Sequence, residues 1–205
     1  MYKRQGIGKT QACRQYYREH GTNCIYITVN PCIKSSKSVL ELIGSKLNVS
    51  SGSVSRLWLE ISSKLSDGMV IIVDEAQHLT RNAIDTLRSL CDCFDEKGQT
   101  LGICFVGNET TVSRLGGKQK AEFAQIRNRT KNTRFYSVKQ IKKSDIEMLF
   151  PDIREDTTAV EFLLCIAQSP QAIRGAVNLY SNALDNGNVT AKGLSAIAKY
   201  MDMAV

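Results

Sequence analysis

The run GIGKT, residues 6–10, sets two glycines, a lysine and a threonine in a spacing that can hold a chain of phosphates. Glycines let the backbone turn so that successive N–H groups point at phosphate oxygens, and Gly6, Ile7 and Gly8 supply that turn. Lys9 would reach the β- and γ-phosphates, and the Thr10 hydroxyl would take a place on Mg²⁺. A helix starting at Thr10 turns the positive end of its dipole to the same anion. About 65 residues later, VIIVDEAQ places Asp74 and Glu75 at the end of an apolar run. A carboxylate there can hold Mg²⁺ through water, and its neighbour can orient or activate an attacking water. Asn108 leaves a further apolar run, LGICFVG, where its amide could hold that water. Each string alone has a plainer reading. An acidic pair suits a helix start, and Gly-Asn is a common turn. Their order and separation favour the phosphate chemistry.

These residues need elements to carry them. Thr10 to His20 reads as a helix closed by Gly21, and CIYITVN, 24–30, as a strand ended by Pro31. Ser36–Leu47 and residues 53–65 read as helices. MVIIV, opening 69–79, is continuously apolar, as suits a strand covered on both faces. A helix over Thr80–Glu96 has Ile84, Leu87, Leu90, Cys91 and Phe94 on one side, and LGICFVGN, 101–108, is the next strand. GGKQK and the piece through Ile126 read as helical, and TRFYSV, 133–138, as a last strand. Strands alternating with helices predict an α/β fold with a parallel sheet and flanking helices. From Lys139 onward only helices are expected, started by Ser144, by Thr157 or Thr158, by Ser169-Pro170 and by Thr190. The expected organisation is an α/β domain over 1–138 and a small all-helical domain over 139–205.

Composition narrows the partners. The 205 residues carry 27 Lys and Arg against 20 Asp and Glu, a net charge of +7, which favours an anionic partner such as nucleic acid. No apolar run approaches the ~20 residues of a membrane helix, and Met1 and Tyr2 lead straight into KRQG with no apolar leader. The seven cysteines include no CxxC pair, so reduced thiols in a cytoplasmic protein are expected, with no metal bound by cysteine.

Taken together, ITVNP, VIIVDEAQHLTRNAIDTLRSLCD, GICFVGNE, SRLGG and FAQIRNR resemble the AAA+ ATPases in sequence, order and gaps. Within that family they are similar to the phage Mu B type of transposition ATPase, and secretion-type ATPases with a DEAQ motif share part of the pattern. The resemblance runs from Gly6 to about residue 185. It implies a P-loop NTPase sheet with a helical lid, and ATP with Mg²⁺ as ligands. Gly6, Ile7, Gly8, Lys9 and Thr10 match the phosphate loop. Asp74 matches the metal-holding acid, Glu75 the water-activating one and Asn108 the sensor. Arg129 matches the arginine that reaches a neighbouring subunit's γ-phosphate, with Arg127 as the alternate, and Arg174 matches the arginine of the lid. Lys34, Lys37 and Arg56 lie in the region that touches the DNA backbone in such assemblies.

The function so implied is an ATP-dependent, DNA-binding ATPase that regulates DNA transposition. It would bind target DNA largely without regard to sequence, activate a transposase and assemble with itself into a ring or helical filament, away from any membrane. Two departures stand out. Lys3 occupies the place of the first loop glycine, and no strand precedes the loop. A core lacking the usual first strand, with a weakened phosphate loop, is therefore expected. Two other functions remain open: a secretion-type or helicase-loading ATPase on the same core, and a truncated fragment that binds DNA or partners without hydrolysis.

Overall fold

Three runs of β-branched and apolar residues form the sheet in the computed structural model: β1 (Cys24–Thr28), β2 (Met69–Asp74) and β3 (Leu101–Phe105). Residues 6–108, 110–111 and 132–203 are described. The strands are parallel in the order β1-β2-β3, so β2 is central among the described residues. Thr28 stands opposite Asp74, and Val73 opposite Phe105, which brings the carboxyl ends of all three strands level. Ligands of open α/β sheets bind beyond such ends.

The chain divides into two compact units, one of residues 9–132 and the other of residues 133–205 with residues 1–8. In the first, α1 (Lys9–Glu19) lies on one face of the sheet. The opposite face is covered by α2 (Ser36–Lys46), α3 (Val54–Lys64) and α4 (Arg81–Glu96). Alternation along β2 divides its side chains between the faces. Ile71 and Val73 join Leu40, Ile43, Leu57, Ile61, Leu87 and Phe94 in the main core, while Ile72 meets Cys13 of α1 and Cys24 of β1. The helices start on side-chain caps. Ser35, Ser53 and Thr80 accept hydrogen bonds from the backbone N–H of Ser38, Arg56 and Ala83.

The second unit contains α5 (Lys143–Leu149), α6 (Thr157–Gln168), α7 (Ala172–Asp185) and α8 (Ala191–Tyr200). Its core is built on Ile146, Phe150, Leu163, Ile166, Leu179 and Leu194. Local details here differ from the sequence expectation. Residues 133–137 form no strand, and 138–140 form a single 3₁₀ turn. Phe135 and Tyr136 are each 59% exposed, so among the described residues the aromatic run buries neither ring and pairs with no strand. Ser144 lies inside α5, because the Asp145 carboxylate reaches back to the Lys142 N–H at 2.8 Å and starts the helix earlier. Asp156, rather than Thr157 or Thr158, caps α6 by accepting from the Ala159 N–H at 3.0 Å. Thr190 caps α8 as expected. The helical reading of 116–126 falls outside the described residues.

All seven cysteines are free thiols. Burial, and then the nearby Asp74 carboxylate, push the Cys13 thiol from 9.0 to about 11. A rise of that size leaves about a hundredth of the thiolate at a given pH, and thiolate is the reactive form. We predict that iodoacetamide at pH 8 alkylates Cys13 in the folded chain at least about 100-fold more slowly than in denaturant, read by peptide mass spectrometry. Equal rates would mean that α1 does not seal Cys13 against the sheet.

Candidate functional site

The glycine turn comes first. Gly6 and Gly8 have φ of +92° and +89°, values that side chains with a Cβ rarely adopt. α1 begins at the next residue, Lys9, with no acidic residue in its first turn to oppose an anion. A Cβ at Gly8 would meet nothing within 4 Å, so the turn is open there. Gly6 is braced within its own unit, its carbonyl accepting from the Arg174 N–H at 3.1 Å. A Cβ on Gly6 would stand 3.0 Å from the Arg174 Cβ. Arg174 is thus placed beside Gly6, near the start of α7, with an exposed side chain.

Asp74 ends the central strand and is 2% exposed. A carboxylate kept from water needs donors. Its Oδ1 accepts from the Glu75 N–H at 2.9 Å, and its Oδ2 from the Tyr26 hydroxyl at 3.0 Å. Burial above all, with the Asp74 carboxylate it faces, holds the Tyr26 phenol above its usual range, so it remains a donor. Among the described residues, each Asp74 oxygen takes one protein hydrogen bond and keeps acceptor capacity for a further ligand. Cys13 lies close enough to Asp74 to feel its charge. Thr10, three residues earlier on α1, shares that helix face.

Glu75 follows with φ 58° and ψ 32°, a left-handed conformation that costs a residue other than glycine about 1–3 kcal/mol. The chain therefore turns off the strand within one residue, and Ala76 donates to the Val106 carbonyl at 2.9 Å. This bond ties the exit of β2 to the exit of β3, where Asn108 stands. The Asn108 Oδ1 accepts from the Thr110 N–H at 3.0 Å and from the Thr110 hydroxyl. Asp74, Glu75 and Asn108 are thus gathered at one end of the sheet.

Three residues here escaped the reading of the sequence. Tyr26 supplies the donor to Asp74, Gln77 donates to the Glu75 carboxylate, and Gly107 lies where a Cβ would collide with Gln77. The one available signal was the polar Gln77 two residues after Glu75.

The basic candidates differ among themselves. Arg56 pairs with Glu60 at 2.6 Å and Lys37 with Glu41 at 3.8 Å, each one turn along its own helix. Lys34 is exposed in the loop before α2, and its carbonyl accepts from the Thr80 N–H at 3.0 Å. Arg127 and Arg129 lie outside the described residues. Among the described residues, no helix is long and apolar enough to cross a membrane.

The donor set fits a nucleoside triphosphate with a hard divalent cation. Within the unit of residues 9–132, α1 starts with no acid to oppose an anion, and a buried carboxylate with acceptor capacity ends the central strand.

Comparison with known proteins agrees with this geometry. The chain is 30% identical over 196 residues to the ATP-dependent target DNA activator B of Escherichia phage Mu, covering 92% of this chain and 58% of that protein. It is 28% identical over 191 residues to the Mu-like prophage FluMu DNA transposition protein B of Haemophilus influenzae, covering 88% of this chain and 63% of that protein. The chain therefore spans about three fifths of the length of these relatives. The Aeropyrum pernix ORC1 protein, solved in complex with DNA, shares the fold at a TM-score of 0.62 and 16% identity, over 98% of this chain and 58% of that one. The family profile described as AAA domain matches residues 4–115, more than half of the chain. The chain belongs to the AAA domain family, a nucleotide-binding fold.

Proposed function

We propose that this chain is an ATP-dependent, DNA-binding ATPase that regulates DNA transposition. The observation that carries the reading is the buried Asp74 at the end of the central strand, with Glu75 turned sharply beyond it toward the exit of β3. One relative named for DNA transposition, and another named an ATP-dependent target DNA activator, support the choice of process.

In this reading the N–H groups of Gly6, Ile7 and Gly8 bind phosphate oxygens, and the Lys9 ammonium adds a full positive charge. The Thr10 hydroxyl and the Asp74 carboxylate would hold Mg²⁺, which when bound supplies charge neutralisation for the phosphates. Glu75 accepts a proton from the attacking water, and the Asn108 amide orients that water. Arg174 contacts the nucleotide, and Arg129 of a neighbouring copy stabilises charge on the γ-phosphoryl group. The copies assemble on DNA through backbone contacts and present that DNA to a transposase. Of the basic candidates, Lys34 is best suited to a phosphate, since Lys37 and Arg56 each lean on a glutamate.

Three outcomes are predicted. Glu75→Gln keeps nucleotide binding by calorimetry but lowers turnover by about 10²–10⁴-fold, the worth of a general base. Turnover at the wild-type rate would leave Glu75 as no more than a turn acid. Arg129→Ala lowers hydrolysis by about 10³–10⁵-fold and regains part of it when mixed with Lys9→Ala, because a mixed interface pairs an intact loop with an intact arginine. No recovery in mixtures shown to co-assemble would place that arginine outside the site. Affinity for duplex DNA falls as salt rises, and Lys34→Ala makes the slope of log K against log salt shallower by about 1. An unchanged slope would return Lys34 to the solvated surface.

A further inference from the structure

Gln77 has no part in the chemistry described so far, yet both ends of its amide are engaged. Nε2 donates to the Glu75 Oε2. At the other end, Oε1 accepts from the Asn108 backbone N–H at 3.4 Å and from the Thr111 hydroxyl at 3.5 Å. Only one orientation of the amide satisfies this set. Flipped, it would turn its oxygen to a carboxylate and its NH₂ to a backbone N–H, two repulsive contacts. The sequence also leaves room for it. A Cβ at Gly107 would stand 2.6 Å from the Gln77 Oε1, and closer still to the Thr111 hydroxyl oxygen, which belongs to a residue only 4% exposed. Glycine at 107 is therefore a condition for the amide to lie where it does.

Glu75 needs such a partner. Its backbone is fixed in the left-handed region, but its side chain has three rotatable bonds and is only half buried. Such a carboxylate spreads over several rotamers unless something holds it. A base that must meet one particular water gains from being held, since a misplacement of about 1 Å can cost on the order of 10²-fold in rate.

We propose that Gln77 is a positioning residue for nucleotide hydrolysis. Its amide fixes the Glu75 carboxylate in register with the exit of β3, so that any displacement of the Asn108 backbone is passed directly to the base. This rests on Glu75 being the water-activating group. The link runs within one unit of the fold and joins a base to the segment that carries the water-orienting amide.

The test uses Gln77→Leu, which keeps the bulk and removes both ends of the amide. Amide hydrogen exchange, measured by NMR without nucleotide, should show the Asn108 N–H exchanging roughly 2- to 10-fold faster, the worth of one hydrogen bond. In turnover assays kcat should fall by about 10- to 100-fold while KM stays within about 2-fold. Glu75→Gln combined with Gln77→Leu should turn over no more slowly than Glu75→Gln alone, because residues acting through one another are not additive. Gln77→Glu, similar in shape but with a second carboxylate in place of the donor, should lose at least as much kcat and serves if leucine prevents folding. Unchanged Asn108 exchange, an unchanged kcat, or a full additive loss in the double variant would overturn the role of Gln77 while leaving Glu75 as the base. Wild-type turnover in Glu75→Gln would instead overturn the base itself, and the role of Gln77 with it.

Discussion

A carboxylate held out of water at the end of the central strand sets the terms for the rest of this site. Asp74 is 2% exposed, and an unpaired buried charge would cost several kcal/mol or be neutralised. Two donors prevent that, and each constrains its surroundings. The Tyr26 hydroxyl reaches Oδ2 because β1 pairs with β2 in the register that sets Thr28 opposite Asp74. The Glu75 N–H reaches Oδ1 as the chain turns abruptly into the left-handed region. That turn frees Ala76 to bond Val106, which anchors the exit of β3 and with it Asn108. Shifting β1 by one residue would send Tyr26 to the other face of the sheet and remove one of the two donors.

Much of the frame was legible in the sequence, for identifiable reasons. β2 announces itself by an unbroken apolar run because both its faces are covered. α4 shows its buried side through Ile84, Leu87, Leu90 and Phe94, spaced for one helix face. Thr80 and Thr190 mark helix starts because a hydroxyl there has few better uses. The failures have two causes. TRFYSV carries strand-forming residues, but a strand also needs a partner edge and a buried face, and among the described residues Phe135 and Tyr136 have neither. At α5 and α6 an aspartate competed with the nearby hydroxyls and won as the stronger acceptor.

Within the candidate site, the residues that were legible carry their chemistry in a local motif. Gly6, Ile7, Gly8, Lys9 and Thr10 are contiguous, and Asp74 and Glu75 stand at the end of a strand. Tyr26 and Gln77 act across the fold instead, on partners 48 and 31 positions away. Apart from the place of Gln77 near the acidic pair, nothing in their own surroundings announces such contacts. Gly107 reads as an ordinary turn glycine until the Gln77 amide is seen in the space that a Cβ would take. The net positive charge pointed to an anionic partner without choosing residues. The ion pairs of Lys37 and Arg56 make that choice sharper than charge alone could.

The central claim is that Asp74 holds the metal of a bound nucleoside triphosphate while the glycine turn and Lys9 hold its phosphates. Calorimetric titration of ATP into the wild-type chain and Asp74→Asn, each with and without Mg²⁺, tests it most directly. The account predicts that Mg²⁺ tightens binding to the wild type, and that Asp74→Asn removes this gain while still binding metal-free ATP. A variant whose affinity still rises with Mg²⁺ as much as the wild type's would contradict it, as would a wild-type chain indifferent to the metal.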